Sequence, residues 1–359
     1  MTSVRLHPSG HSVEVPQGAT VLEALEKSGF ALPNNCRAGA CGECKVKVLE
    51  GEFDQGFVLD MALSEEERAQ GFGLMCMAKP VSPELVIEWG TVDAKPKLFP
   101  PREGQPFVVT DRIDRTPRIT ELRLRPQRDA MRYWPGQYVM LGDPAAGVPL
   151  RSYSIANAPR SDGEVVLQIT RQSDGLTSNW VHDTLLPGSK VKINGPYGTF
   201  IGDPSVETPV LCLAAGSGLA PILALTEAAL RRTYGEAVTL LFSAATQDDL
   251  YDAGMMAWWS ARHRNFRYRP TLTRGTPKDP KGLQGRIPTL LPTLFRDLSQ
   301  HSVFVAGTPQ FVADCVAAAK ALGARSELVH TEGYYPQSPP LTPTADQLVS
   351  CGTSPPAAR

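Results

Sequence analysis

The sequence predicts a multidomain chain of α+β and α/β type. A small mixed unit comes first, an antiparallel β-barrel second, and a unit with a mostly parallel sheet third. Three observations predict this order. Alternating apolar residues flank a Ser-Gly turn and a short cappable helix before residue 90. Short β-type runs broken by Gly and Pro fill 106–200. From residue 208 apolar strands alternate with helical patterns.

The composition sets outer limits. A chain of 359 residues can hold two or three domains, each with its own core. With 42% hydrophobic and 20% charged residues it has the make-up of a soluble globular protein. A formal net charge of −1 and no basic stripe exclude long-range attraction to nucleic acid or anionic lipid. No apolar run reaches the roughly 18–20 residues of a membrane span. The N-terminus enters strand-like sequence without a signal-peptide apolar region. A cytoplasmic location is expected. Of seven cysteines, four fall between positions 36 and 76. In a reducing compartment such clustering points to metal ligands rather than disulfides.

In chain order, Val4, Leu6, Val13 and Val15 alternate across Ser9-Gly10 as a hairpin. Thr20 can cap a helix from Val21 to Ser28 that stops at Gly29. A long loop spans 32–44, and strands are expected at Lys45–Leu49 and Leu85–Trp89. The Pro- and Lys-rich stretch 92–104 reads as a linker. The barrel runs are Phe107–Thr110, Ile119–Arg125, Tyr138–Leu141, Val165–Thr170 and Val191–Ile193. The third unit places strands at Val210–Ala214, Val238–Phe242, Val303–Val305 and Glu327–His330, with helices at Ile222–Arg231 and Phe311–Leu322. Residues 336–359 contain six prolines among 24 and are expected to be disordered.

The most specific motif is Cys36-Arg37-Ala38-Gly39-Ala40-Cys41-Gly42-Glu43-Cys44, with Cys76 further on. This C-x4-C-x2-C…C spacing is that of a plant-type [2Fe–2S] cluster. Three thiolates converge on one tight loop and a fourth arrives from a distant segment. Gly39 and Gly42 can take positive φ and aim backbone N–H groups at sulfur. The spacing is a poor match to zinc ribbons. Cys212, in an apolar strand, and Cys315, on a helix, read as inert core thiols.

Arg151-Ser152-Tyr153-Ser154 follows the strand start Pro135-Gly136-Gln137-Tyr138-Val139. Its companions are Gly175-Leu176-Thr177-Ser178-Asn179-Trp180 and Gly195-Pro196-Tyr197-Gly198-Thr199-Phe200. Together these resemble the ferredoxin–NADP reductase superfamily. The resemblance implies that Arg151 carries the phosphate charge of a flavin. It also implies that Tyr153 lies against the isoalloxazine and that Ser154 bonds near its reactive nitrogen. Gly175 and Ser178 would form a pyrophosphate loop at a helix N-terminus. Ser152, Gln168, Ile169 and Thr170 are further candidates for holding the cofactor. FAD is expected, and FMN is the competing flavin.

Leu211–Ala215 followed by Gly216-Ser217-Gly218 and Pro221 is a buried strand, a Gly-x-Gly turn and a helix start. This fits a pyrophosphate-binding turn and resembles the superfamily's nucleotide motif. The second strand ends at Ser243–Tyr251, where Asp248 and Asp249 would repel a 2′-phosphate, so NADH is expected. Each Asp can equally serve as a helix cap. Gly307 and Pro309 match the superfamily's Cys-Gly-x-Pro segment, although Ala306 stands where the Cys is usual. Glu332-Gly333-Tyr334 resembles its C-terminal Glu-x-aromatic, which lies near the flavin. Tyr153, Ser154 and Glu332 are the candidate catalytic residues.

The resemblance thus implies a β-grasp [2Fe–2S] ferredoxin domain (1–91), a linker (92–104), an FAD-binding barrel (105–203) and an NAD(P)H-binding domain (204–335). Domains in this order resemble the reductase components of multicomponent bacterial oxygenases and hydroxylases. The implied flow is NADH to FAD to [2Fe–2S] to a partner oxygenase or hydroxylase component docking near the cluster loop. Leu6–Gly10 looks like a sub-branch that serves deoxysugar dehydrases. A redox sensor or pure carrier would need the cluster but no hydride site.

Overall fold

The computed structural model describes residues 2–203, 206–232, 234–280 and 282–335. The tail expected at 336–359, with Cys351, lies outside them.

The first unit wraps a mixed sheet around one helix. Its elements are β1 (Thr2–His7), β2 (Ser12–Val15), α1 (Val21–Lys27), β3 (Lys45–Glu50), β4 (Phe53–Asp54), α2 (Glu65–Ala69), β5 (Phe72–Leu74), β6 (Lys79–Pro80) and β7 (Glu84–Glu88). Five strands lie in the order β2-β1-β7-β3-β5, with β1 and β7 parallel; β4 and β6 form a separate ribbon. The Thr20 hydroxyl accepts from Glu23 N–H, and the Glu23 carboxylate accepts from Thr20 N–H. This reciprocal cap fixes where α1 begins. Val21, Leu22 and Leu25 of α1 then share one buried core with Val4, Leu6, Leu85 and Ile87.

The second unit is β8 (Arg102–Thr116), β9 (Ile119–Pro126), β10 (Tyr138–Asp143), β11 (Val148–Ser154), β12 (Val165–Thr170), α3 (Leu176–Asp183) and β13 (Lys190–Tyr197). Its six strands run in the order β11-β10-β13-β8-β9-β12, all antiparallel. An antiparallel bridge from Ile155, just past β11, to Leu167 of β12 brings the sheet's two edges together. The interior is filled by Phe107, Leu122, Leu141, Ile169, Val181 and Ile193 among others.

The third unit is β14 (Val210–Ala215), α4 (Leu219–Arg231), β15 (Val238–Ala244), α5 (Ala253–Arg262), β16 (Phe266–Leu272), β17 (Leu283–Gln284), α6 (Ile287–Leu294), β18 (Ser302–Gly307), α7 (Pro309–Ala321) and β19 (Val329–Gly333). The strand order is β17-β16-β15-β14-β18-β19, with every pair parallel. The order reverses between β14 and β18. Ligands of open parallel sheets bind in the crevice beyond the carboxyl ends at such a point. The turn at Gly216 and the end of β18 at Gly307 both lie there.

Two findings revise the sequence reading. The stretch 92–104 is not a free tether. Arg102–Gly104 already belong to β8, because strand pairing with β13 begins there. Upstream, Lys97 and Leu98 N–H groups donate to the Gly29 carbonyl, Leu98 is buried, and Phe99 stacks on Trp134. The ferredoxin unit and the barrel are therefore tied together. Arg37, on the cluster loop, points inward although a charged loop residue is expected at the surface. Its guanidinium holds both oxygens of Glu26 at 2.6 and 2.8 Å and lies 4.7 Å over the Tyr197 ring of the barrel.

The Glu26 and Arg37 side chains are 4% and 17% exposed, so neither charge has much water to fall back on. Removing one partner of such a pair costs about 3 kcal/mol or more, while replacing both by apolar groups costs far less. Chemical denaturation should show Glu26→Ala destabilised by about 3 kcal/mol and the Glu26→Leu/Arg37→Met double variant closer to wild type.

Candidate functional site

The four cysteines gather on the face of the first unit that meets the barrel. Loop 36–44 supplies three, and the turn after β5 supplies Cys76. Arg37, Gly39 and Gly42 all adopt positive φ. A Cβ at Gly39 would meet Val58 Cγ1 at 2.9 Å, so a side chain would collide there as well as strain the turn. The folded loop turns its amides on sulfur. Ala38 and Ala40 N–H donate to Cys36 Sγ, and Cys76 N–H to Cys44 Sγ, each at 3.4 Å. The thiols fall into two neighbouring pairs, Cys36 beside Cys41 and Cys44 beside Cys76. In each pair one thiol is pushed down, Cys36 by the Cys41 S–H and Cys76 by the Cys44 S–H, with backbone amides assisting. Two sulfur pairs wrapped by N–H donors suit two irons sharing four thiolates. Cys212 and Cys315 are buried in apolar surroundings, and burial pushes both up to about 12, which fits inert core thiols.

β11 presents the candidate flavin residues. Tyr153 pairs with Val139 of β10 and packs on the barrel core, where burial raises its phenol. Ser152 Oγ is buried with no hydrogen-bond partner, and so is Asn179 Oδ1 on α3. A buried polar atom left without a partner costs stability unless a ligand or water satisfies it. These two polar atoms, a hydroxyl on β11 and an amide oxygen acceptor on α3, suit a polar cofactor. Arg151 donates to the neighbouring Leu150 carbonyl. Gly175 precedes α3, whose N-terminus has no side-chain cap, so its first-turn N–H groups suit an anion. A Cβ at Gly175 would meet Ser178 Oγ at 2.5 Å. The Ser178 hydroxyl is engaged locally, accepting from Gln172 N–H and donating to the Gly175 carbonyl. On β12, Ile169 is fully buried, while Gln168 and Thr170 reach toward the third unit.

The nucleotide turn needs its second glycine. A Cβ on Gly218 would sit 2.2 Å from the Ala306 carbonyl oxygen of β18. This close approach packs the turn onto the end of β18, with Pro221 in the first turn of α4. Asp249 is occupied as a cap, its carboxylate accepting from Thr246 N–H and Oγ1–H at 2.9 and 2.8 Å. Asp248 is exposed. The structure also adds a cation that the strand end lacks in sequence. Arg274 N–H donates to the Ala245 carbonyl at 2.8 Å, so a basic residue from the end of β16 stands beside this loop. Nothing local in residues 243–251 could have signalled it.

The C-terminal segment closes the site. Glu332 and Gly333 are not a solvated turn but the end of β19, paired with Ala306 and Gly307. Tyr334 N–H donates to the Gly307 carbonyl. Its hydroxyl lies 3.0 Å from Ser154 Oγ and 3.3 Å from the Ser217 carbonyl. One side chain thereby links the candidate flavin strand, the nucleotide turn and the sheet end. Glu332 is buried, and burial with the nearby charge of Glu43 pushes its carboxyl up to about 8. It can hold a proton at neutral pH beside Ser154 and Tyr334. Glu43 belongs to the cluster loop, so the third unit faces the first across this crevice.

Comparisons with known proteins agree along the chain. Residues 4–81 match the 2Fe-2S iron-sulfur cluster binding domain family, 106–201 the oxidoreductase FAD-binding domain and 212–317 the oxidoreductase NAD-binding domain. The chain is 36% identical over 273 residues to the reductase component of phenol 2-monooxygenase from Pseudomonas sp. (strain CF600), covering 76% of each. It is 33% identical over 336 residues to the reductase subunit of an aromatic O-demethylase from Amycolatopsis sp., covering 92% of this chain and 98% of that one. The crystal structure of an Amycolatopsis cytochrome P450 reductase superposes with a TM-score of 0.84 at 31% identity, over 94% of this chain and all of the other.

The buried Glu332 carboxyl has a pH signature. The native state keeps a proton that the unfolded chain releases above its ordinary 4.5, so this group's contribution to stability falls as pH rises toward about 8. Glu332→Gln removes that penalty. The melting temperature of Glu332→Gln relative to wild type should therefore increase between about pH 5 and about pH 8 and level off beyond. A constant difference would remove the buried carboxyl from the account.

Proposed function

This chain belongs to the family of iron–sulfur flavoprotein reductase components of oxygenase systems, and on that premise we propose that its terminal acceptor is an oxygenase or hydroxylase component that docks at the cluster loop. The chain is an NADH-dependent oxidoreductase with [2Fe–2S], FAD and NAD-binding domains. When bound, the flavin takes two electrons together from the nicotinamide and releases them singly to the cluster. The protein's part is to bind, orient and insulate. Cys36, Cys41, Cys44 and Cys76 hold the cluster. Arg151, Ser152, Tyr153, Ser154, Gly175 and Ser178 hold the flavin, with Gln168, Ile169 and Thr170 lining the barrel wall. Gly216, Gly218, Pro221 and Gly307 hold the nucleotide, and Glu332 with Tyr334 stands between the two cofactors. We assign the domains to 1–91, 102–203 and 204–335. A preference for NADH rests on Asp248 and Asp249, with Arg274 as the opposing charge.

The carrying observation is the convergence of Tyr334, Ser154 and the Gly216–Gly218 turn beside the cluster loop. The loop has two faces. Asn34 and Arg37 turn toward Tyr138 and Tyr197 of the barrel. The other face is covered by residues 57–62, since Leu59 N–H donates to the Gly39 carbonyl. There Val58 and Ala62 point in, whereas Phe57 and Met61 are 67% and 84% exposed and Leu59 is partly exposed. Between Val48 and Glu67 the chain carries seven acidic residues and no Lys or Arg. Glu50, Asp60 and Glu67 pair with Arg5, Arg68 and Lys45. Glu52, Asp54, Glu65 and Glu66 have no cationic partner among the described residues. An apolar centre with an acidic rim suits a partner surface with apolar contacts and a basic rim.

Cys41→Ser should abolish cluster-dependent reduction of cytochrome c, a basic protein acceptor, and leave NADH-dependent ferricyanide reduction largely intact. Equal loss of both would refute the assignment of electron exit to the cluster. Phe57→Ser/Met61→Ser should raise the KM for cytochrome c about tenfold, the effect of removing one modest interface anchor, while ferricyanide reduction stays at the wild-type rate. An unchanged KM would place the docking face elsewhere.

A further inference from the structure

A buried polar network joins the barrel to the nucleotide domain, passing through the candidate cofactor residues Gln168, Thr170 and Gly216 to a residue not yet assigned a role. Its centre is Asp252, at the start of α5. The residue sits in the left-handed region at φ 57°, where non-glycine residues are uncommon. It is the N-cap residue of α5, yet its carboxylate makes no cap bond. Instead the side chain, only 4% exposed, reaches the barrel. Oδ2 accepts from Gln168 Nε2 at 2.8 Å, and Oδ1 lies 3.4 Å from an Arg115 guanidinium nitrogen.

The network continues in both directions. On the barrel side Glu121, 3% exposed, accepts from Arg115 at 2.8 and 2.9 Å and from Arg123 at 3.0 Å. On the nucleotide side the buried Tyr251 hydroxyl lies 3.2 Å from Gln168 Oε1 and 3.0 Å from the Gly216 carbonyl. Two residues along β12, on the same face, Thr170 Oγ1 donates to Ser217 Oγ at 2.8 Å. The amide nitrogen of Gln168 is thus fixed by Asp252, and the single Tyr251 O–H proton is shared between Gln168 Oε1 and the Gly216 carbonyl. That orientation sets the height of the Gly216 turn over β12. Asp252 gives up a local cap and an unstrained backbone, and what it gains is a contact across the domain boundary.

We propose that Asp252 is a positioning residue for hydride delivery, locking the Gly216–Gly218 turn onto the flavin barrel through Gln168 and Tyr251. The inference rests on the flavin and nucleotide assignments above. In the step it serves, a hydride leaves C4 of NADH, giving NAD+, and its two electrons and proton reduce the flavin. A displacement of about 1 Å at such a step costs on the order of a hundredfold in rate.

Stopped-flow measurement on the holoenzyme tests this. Asp252→Ala should slow NADH-dependent flavin bleaching at least about tenfold, with little change in NAD+ affinity. The isotope effect with 4-deuterated NADH should rise as hydride transfer becomes limiting. Asp252→Asn tolerates positive φ and keeps an oxygen for Gln168, so it should recover most of the rate. Tyr251→Phe keeps the ring and loses only the hydroxyl, so it should slow bleaching in the same direction even if Asp252→Ala fails to fold. Hydrogen exchange at residues 213–219, measured without nucleotide, should quicken in Asp252→Ala and Tyr251→Phe but not in Asp252→Asn. Wild-type rates and exchange in Asp252→Ala, or in Tyr251→Phe where the alanine variant does not fold, would overturn the proposal. Failure of wild-type flavin to bleach with NADH would instead overturn the reading on which it rests.

Discussion

The arrangement depends on holding one loop against one barrel. A cluster loop fixed only by its own domain would leave electron transfer to chance encounters. Here Arg37, one residue from the first thiolate, is clamped by Glu26 beneath it and by the Tyr197 ring beyond it. Tyr138 of β10, buried at this contact, adds a hydrogen bond to Asn34. The charge pair is too buried for its parts to separate cheaply. The same constraint explains why Lys97, Leu98 and Phe99 pack rather than dangle. The ferredoxin unit is anchored at both ends of its contact with the barrel.

Function then follows from where the three units meet. The parallel sheet opens its crevice at the β14–β18 reversal, the barrel presents β11, and the cluster loop lies across from both. Tyr334 bonds toward two of these at once, and Glu332 senses the charge of Glu43 on the third. A two-electron donor, a cofactor of both habits and a one-electron acceptor require this sequence of neighbours. With Asn34 and Arg37 turned toward the barrel, Phe57 and Met61 on the opposite face of the loop stay exposed.

Much of this was legible in the sequence because the chemistry is local. The C-x4-C-x2-C spacing, the Thr20 cap and the Gly216–Pro221 turn each declare themselves within ten residues. The parts that were not legible have physical reasons too. β16 reads Phe-Arg-Tyr-Arg-Pro-Thr-Leu, where two arginines and a proline mask an interior parallel strand. α6 contains Pro292 and begins beside another proline, both of which look like breakers. α2 buries no residue and is held by the Ser64–Glu67 cap, so no apolar period marks it. The inward turn of Arg37 has no local signal because its partners lie 11 residues before it and 160 residues after it. Arg274 and Asp252 act across folds of the chain that no window reveals.

The central claim is an ordered path from nucleotide through flavin to cluster within one chain. Anaerobic single-turnover mixing with NADH, followed by flavin absorbance and by electron paramagnetic resonance of the cluster, tests it most directly. The account predicts that flavin bleaches first and the reduced-cluster signal rises afterwards in the same molecules. A flavin that stays reduced while the cluster remains oxidised, or a cluster reduced before the flavin, would contradict it.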